Sequence, residues 1–270
     1  MIDIDACRTI LVVSPHLDDG VLSVGGLIER AAVNGADVIV ATVFTADSPQ
    51  GGALSPLAQE LHGMWNLGAN PYAPRRDEDE IAVTSLGARP VFGGLLDALY
   101  RTSHGGAPLY PTRQSVFAAP HVDDPIGAPL LQLLQGWVTD FAPDLVLGPL
   151  GVGGHVDHAV TTRALYRLAA QRPIQLGLYE DMPYATGLFP PNAPDTVAAA
   201  LRRSPFAPKG SSLIAVDLPG KLGAIAAYAS QIADIFPNGL AFGSVIDNYM
   251  RSHTEDGVYS ERLWDVLARA

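Results

Sequence analysis

Three short apolar runs constrain this chain more than any other feature: TILVVS at 9–14, DVIVATVFT at 37–45 and DLVLGPL at 144–150. Each is rich in Val, Ile and Leu and lacks the in–out alternation of a half-exposed strand. Such runs suit parallel strands covered by helices on both faces. Between the first two, GVLSVGGLIERAAVNGA places Val21, Leu22, Leu27, Ile28 and Ala31 on one helical stripe that closes at Gly35. Strand, helix and strand within about 35 residues make the βαβ unit of an open α/β fold.

The same periodicities predict helices at 54–68, 75–88, 128–142, 158–171 and 220–236, and further strands at 173–180 and 212–218. Pro and Gly concentrate at 102–129 and 182–211, which read as long excursions from the sheet that wall a substrate cleft. No repeat or low-complexity tract divides the chain. With 270 residues and 48% hydrophobic content, the expectation is α/β: a single domain over 1–270 with a mostly parallel central sheet.

A formal net charge of −11, with only 17 Lys and Arg, argues against nucleic acid as a partner. Cys7 is the only cysteine, so an internal disulfide and a thiolate cage are both excluded, and any metal must bind through His, Asp or Glu. The start, MIDIDACRTI, carries acids where a secretion signal needs positive charge, and no apolar run reaches the ~18–20 residues of a membrane span. The expectation is a cytoplasmic protein without a membrane partner. No heptad pattern speaks to oligomeric state.

In open α/β sheets, ligands bind beyond the carboxyl ends of the strands. The first run ends in SPHLDDG, and the third leads through GVGG into HVDHAVTT, so two clusters of acid and imidazole fall at one sheet edge. Acidic and imidazole groups packed this densely need a compensating charge. His16, Asp19 and His158 can supply two imidazole nitrogens and a carboxylate oxygen, the pattern of a catalytic zinc site with open positions. Asp18 is then free to act as general base, His155 to act as a donor across the site, and Asp157 to hold the His155 ring in one tautomer. Either motif alone is more often a helix cap than a ligand set. Together, each following a buried strand in a cysteine-poor chain, they carry the metal reading.

At these residues the sequence resembles the PIG-L or LmbE-like family of zinc-dependent deacetylases, which remove acetyl groups from N-acetylglucosamine-type amino sugars. The matching stretches are SPHLDD and, well downstream, GHVDH; RRDEDEIAVTSLGA, LLDALYR, LYEDMPYA and KLGAIAAYASQ fit more loosely, so that the likeness spans about residues 9–232. The resemblance implies a Rossmann-like three-layer sandwich and one Zn2+ per chain on His16, Asp19 and His158. It also implies Asp18 as base, His155 at the tetrahedral intermediate or the departing amine, and Asp157 behind it. Leu17 stands where the family usually has proline, Pro15 precedes the histidine, Gly20 replaces a glutamate and Val156 replaces a second proline. None of these removes a ligand or the base. The PHLDD form resembles a bacterial subgroup that includes secondary-metabolite deacetylases.

The expected function is hydrolysis of an N-acyl group from an amino-sugar-containing or glycosylated small molecule. Iron, cobalt or nickel could occupy the same donors as zinc. Arg75, Arg76, Asp97, Glu180 and Tyr184 are candidate substrate contacts, although Arg75 and Arg76 also suit a solvated helix face and Asp97 a cap. His62 and His253 read as structural, and HVDD at 121–124 as a loop without a leading strand. The competing functions are a metal hydrolase of a non-sugar amide, ester or phosphoester, and a sugar-binding protein on a spent enzyme scaffold.

Overall fold

The computed structural model describes residues 2–51, 53–189, 194–236, 241–254 and 256–268. In chain order the strands are β1 (Thr9–Ser14), β2 (Asp37–Thr42), β3 (Arg89–Phe92), β4 (Leu145–Pro149), β5 (Leu176–Tyr179), β6 (Phe206–Ala215) and β7 (Ser260–Ala268). The helices are α1 (Asp19–Val33), α2 (Pro56–Trp65), α3 (Tyr72–Ser85), α4 (Arg113–Val116), α5 (Gly127–Phe141), α6 (Val156–Gln171), α7 (Val197–Arg203), α8 (Leu218–Ile225), α9 (Ile232–Ile235) and α10 (Phe242–Arg251). All seven strands join one sheet in the order β3-β2-β1-β4-β5-β7-β6. The first five run parallel, and β7 lies antiparallel to both β5 and β6.

The absence of alternation in the strand runs has the expected cause. On β1, Ile10 and Val12 enter the core beneath α1, α3, α8 and α10, whereas Leu11 and Val13 enter the core beneath α5, α6 and α7. Four consecutive apolar residues thus serve two opposite faces. Burying each such side chain contributes about 1.5–3 kcal/mol. All five stripe residues of α1 are buried as well.

Several boundaries differ from the sequence reading. The 220–236 helix is two pieces, α8 and α9, separated by turns in which Tyr228 sends its hydroxyl to Asp79 on α3, 2.7 Å away. Of the strand read at 212–218 only 212–215 are strand, the end of β6, and Leu218 already opens α8; the first half of β6 carries Pro208 and an irregularity between Pro208 and Gly210. Such residues are tolerated because β6 is the sheet edge. The excursion at 182–211 contains α7 and the start of β6, and its residues 190–193 lie outside the described ones.

The sheet order reverses between β1 and β4, the place where open α/β folds form their crevice. β1 delivers His16, Asp18 and Asp19 to that point, and β4 delivers His155, Asp157 and His158. A third core cluster, under α2 and the segment 96–117, closes the crevice from the side.

Candidate metal centre

The two motifs converge on one point. Asp19 Oδ2 lies 3.0 Å from His16 Nδ1 and 3.1 Å from His158 Nε2. The backbone N–H of His16 also donates to Asp19 Oδ2 at 2.9 Å, which fixes the carboxylate across the start of α1. His16, His155 and His158 each offer a nitrogen within 4.8 Å of the others. The loop that brings the second motif in, Gly151 to Gly154, needs left-handed backbone at Gly151, Gly153 and Gly154 (φ 83°, 86° and 73°). A side chain at Gly153 would also collide with the Tyr184 ring, 2.5 Å from its would-be Cβ.

The donors fit a divalent cation. His158 is fully buried, and apart from the Asp19 carboxylate oxygen 3.1 Å away nothing engages its Nε2. A buried imidazole nitrogen in that condition is costly unless something takes its lone pair. The opposite nitrogens are engaged: His158 Nδ1 meets Asp181 Oδ1 at 2.6 Å, and His16 Nε2 meets Asp157 Oδ2 at 3.1 Å. Two carboxylate–imidazole pairs of this kind orient metal-ligating histidines and set their tautomers.

A second grouping, His16 with Asp97 and Asp157, also brings donors within 4.8 Å. Here the acids are already occupied. Asp157 is ion-paired to Arg101 at 2.6 Å and accepts from the Ala98 N–H at 3.0 Å. Asp97 accepts from the Tyr72 hydroxyl at 2.6 Å and from the Leu99 N–H at 2.9 Å. With a guanidinium on it, this side of His16 reads as support for the ligand rather than as a cation site.

Asp18 sits beside the ligands without contacting them as a donor. Its pKa is pushed up to about 7, first by burial and then by the adjacent Asp19 charge, with Arg75 3.5 Å away pulling it down. A cation at the neighbouring ligands would pull it down further. His155 moves the other way: burial, then the neighbouring His16, lowers it to about 3, so this imidazole is neutral. The Asp157 N–H donates to His155 Nδ1 at 3.3 Å, which leaves the ring proton on Nε2. Asp157 therefore fixes the His155 tautomer through its backbone, while its carboxylate faces His16 and Arg101.

Beside the donors lies a cleft of about 160 Å3. His16, Asp18, Asp19, Arg75, Asp97, His155 and Tyr184 line it. Arg75 is buried rather than on a solvated face, with its guanidinium over Trp65 and Tyr72 at 4.7 and 5.2 Å. Asp97 is both a wall residue and the cap of the 3-10 turn at Ala98–Tyr100. Arg76, one residue round α3, points instead to Thr45 O and Asp47. Glu180 also lies elsewhere: it meets Tyr249, Arg262 and Trp264 and lines a separate small cavity. Adjacent residues leaving a strand face opposite ways, so it is Asp181 that reaches His158. The HVDD segment is a loop, and His62 bonds Tyr100.

Sequence reasoning does not set Asp181 behind His158. It has no signal for Leu57, Leu61 and Trp65 of α2 or for Gln231, Asp234 and Ile235, which complete the cleft. The segment 102–129 contributes Arg113, Val116 and Phe117, and 182–211 contributes Pro183 and Tyr184.

Known proteins resemble this chain in both sequence and fold. The family profile of PIG-L, GlcNAc-PI de-N-acetylase, matches residues 11–169. A 2'-N-acetylparomamine deacetylase of Streptomyces fradiae is 30% identical over 236 residues, covering 84% of this chain and 74% of that protein. The zinc-inhibited form of teicoplanin deacetylase Orf2 superposes with a TM-score of 0.83 at 27% identity, covering 97% of this chain and 98% of that one. The A40926 pseudoaglycone deacetylase Dbv21 superposes with a TM-score of 0.78 at 30% identity, covering the same shares. With both motifs inside one buried donor set at the sheet's switch point, the chain belongs to the PIG-L, GlcNAc-PI de-N-acetylase family.

Proposed function

We propose that this protein is a zinc-dependent N-deacetylase, a single domain that removes an acetyl group from the amino sugar of a glycosylated small molecule. The convergence of His16 Nδ1 and His158 Nε2 on Asp19 Oδ2, with a carboxylate behind each ring, carries the reading. His16 Nδ1, Asp19 Oδ2 and His158 Nε2 would hold the ion, and the relatives' deacetylase activity sets the bond to be broken. Bound there, zinc would supply Lewis acidity, polarising the amide carbonyl and lowering the pKa of water.

The chain's own groups then divide the remaining work. Asp18, ionised near neutral pH, takes the proton of the attacking water and is placed to return it to the leaving amine. Neutral His155 donates its Nε2 proton as a hydrogen bond to the oxygen that gains charge. Asp157 and Asp181 keep the two ligating rings from turning. The products are acetate and the free amine.

The cleft lining supports a substrate with both a polar and an apolar part. Leu57, Leu61, Trp65, Val116 and Phe117 present apolar surface beside Arg75 and Asp97, so an amino sugar at the polar end with an apolar aglycone along the leucine wall matches both halves. The paromamine, teicoplanin and A40926 relatives point to antibiotic or other secondary-metabolite scaffolds. A panel of N-acetylated aminoglycosides, glycopeptide pseudoaglycones, simple N-acyl amides, esters and phosphoesters tests this. Acetate release from a glycosylated amine, at a kcat/KM well above that for the simple amides, is expected. Preference for a non-sugar amide or an ester would move the assignment.

A further inference from the structure

We propose that Arg101 is a positioning residue for the metal centre, and that it ties the ligand His16 to the loop forming the cleft wall. The inference rests on the metal reading above. His16 must present Nδ1 as a bare lone pair towards Asp19, which requires its proton on Nε2. The acceptor that holds that proton is Asp157 Oδ2, at 3.1 Å.

Asp157 has no access to water, so protein groups alone keep it charged and in place. The Ala98 N–H does part of this at 3.0 Å. Arg101 does the rest, with a guanidinium nitrogen 2.6 Å from Asp157 Oδ1. Arginine stays protonated in proteins, so this partner cannot be lost to titration.

The other side of the same fork grips Asp124: Arg101 Nε donates to its Oδ2 at 3.1 Å, and a terminal nitrogen lies 3.0 Å from that oxygen. Phe44 and Tyr110 each lie 5.3 Å from the guanidinium carbon, and a terminal nitrogen donates to Leu96 O at 3.1 Å. Asp124 also accepts from the Tyr110 hydroxyl at 2.7 Å. It belongs to the HVDD segment, downstream of the Arg113, Val116 and Phe117 that line the cleft. One guanidinium therefore spans the cleft-wall loop and the carboxylate that orients a metal ligand. A planar fork is needed for this; an ammonium can hold only a point contact.

The test is metal affinity of the intact protein, measured by competition with a chromophoric zinc chelator, alongside the melting temperature of the metal-free form. Arg101→Lys, Asp157→Asn and the double variant are compared, with Asp124→Asn as a milder change should Arg101→Lys fold poorly. Each of Arg101→Lys and Asp157→Asn is expected to weaken zinc binding about 10- to 100-fold, the range for groups behind a ligand. The double variant should lose little more than the larger single loss, because both act through one ring. Asp124→Asn should weaken binding in the same direction. Unchanged affinity in Arg101→Lys, with only the metal-free melting temperature lowered, would overturn the positioning role and leave the metal site intact. Fully additive losses would overturn the route through Asp157. Wild-type protein that holds no zinc would overturn both this inference and the metal reading.

Discussion

His158 shows how much a single side chain is asked to do. In a fully buried place, one nitrogen is tied to Asp181 at 2.6 Å and the other faces Asp19 Oδ2 at 3.1 Å. Asp181→Asn keeps the shape and removes the charge behind the ring, and should weaken zinc binding by about 10- to 100-fold in a chelator competition. Asp18 is separable from this. Asp18→Asn should retain one zinc per chain by elemental analysis while kcat falls about 10²- to 10⁴-fold. Near-normal turnover in that variant would remove Asp18 as the base. The raised pKa of Asp18, about 7 before a cation acts on it, sets the direction of the pH profile. The base works ionised, so kcat/KM should fall as pH drops through the Asp18 pKa, at or below 7, and the limb should be lost in Asp18→Asn. At this scale the proposed ligands and base were legible in SPHLDD and GHVDH, whose residue types and order suggest the chemistry. Arg101, Asp124 and Asp181 were not, because each acts through another residue far away in sequence.

Among the elements, α1 departs from a simple helix. Its backbone leaves helical geometry at Val24 (φ −131°, ψ 27°), and the amides of Gly26 and Leu27 donate instead to the Glu261 carboxylate of β7, at 3.0 and 2.7 Å. Lys221 of α8 pairs with that carboxylate at 2.6 Å. Gly26 is required by close packing: a Cβ there would stand 2.7 Å from Val216 Cβ. Removing one partner of a buried ion pair costs about 3–5 kcal/mol, so Glu261→Ala should lower the urea-unfolding free energy by that order. A loss under about 1 kcal/mol would show that the kink is held by packing alone.

The same elements explain which parts of the fold could be read. β1, β2, β4 and β5 announce themselves because both faces are buried, leaving unbroken apolar runs. β7 carries Glu261, Arg262 and Asp265 among its apolar residues, and the partners that make Glu261 tolerable lie in α1 and α8. β6 hides behind Pro208 and Gly210, and β3 has only four residues. The division of 220–236 into α8 and α9 depends on Tyr228 reaching Asp79 across the sheet's flank, a long-range contact with no local sign.

At the level of the whole molecule, the metal centre ties together the β1–α1 and β4–α6 junctions, 141 residues apart at the His16–Asp157 contact. A ligand that binds only the folded chain stabilises it by mass action, about 2.7 kcal/mol at a hundredfold excess over Kd. Zinc should accordingly raise the melting temperature in a concentration-dependent way, and a chelator should reverse the rise. No helix among the described residues is long and apolar enough to cross a membrane.

The central claim is that this one donor set, filled by one ion, removes an acetyl group from an amino sugar. Its most direct measurement is acetate release from an N-acetylated glycosyl amine by protein stripped of metal and titrated back with zinc. The rate should rise from baseline and level off at one equivalent per chain. Equal acetate release without zinc, or none at any equivalence from protein that has bound the ion, would contradict it.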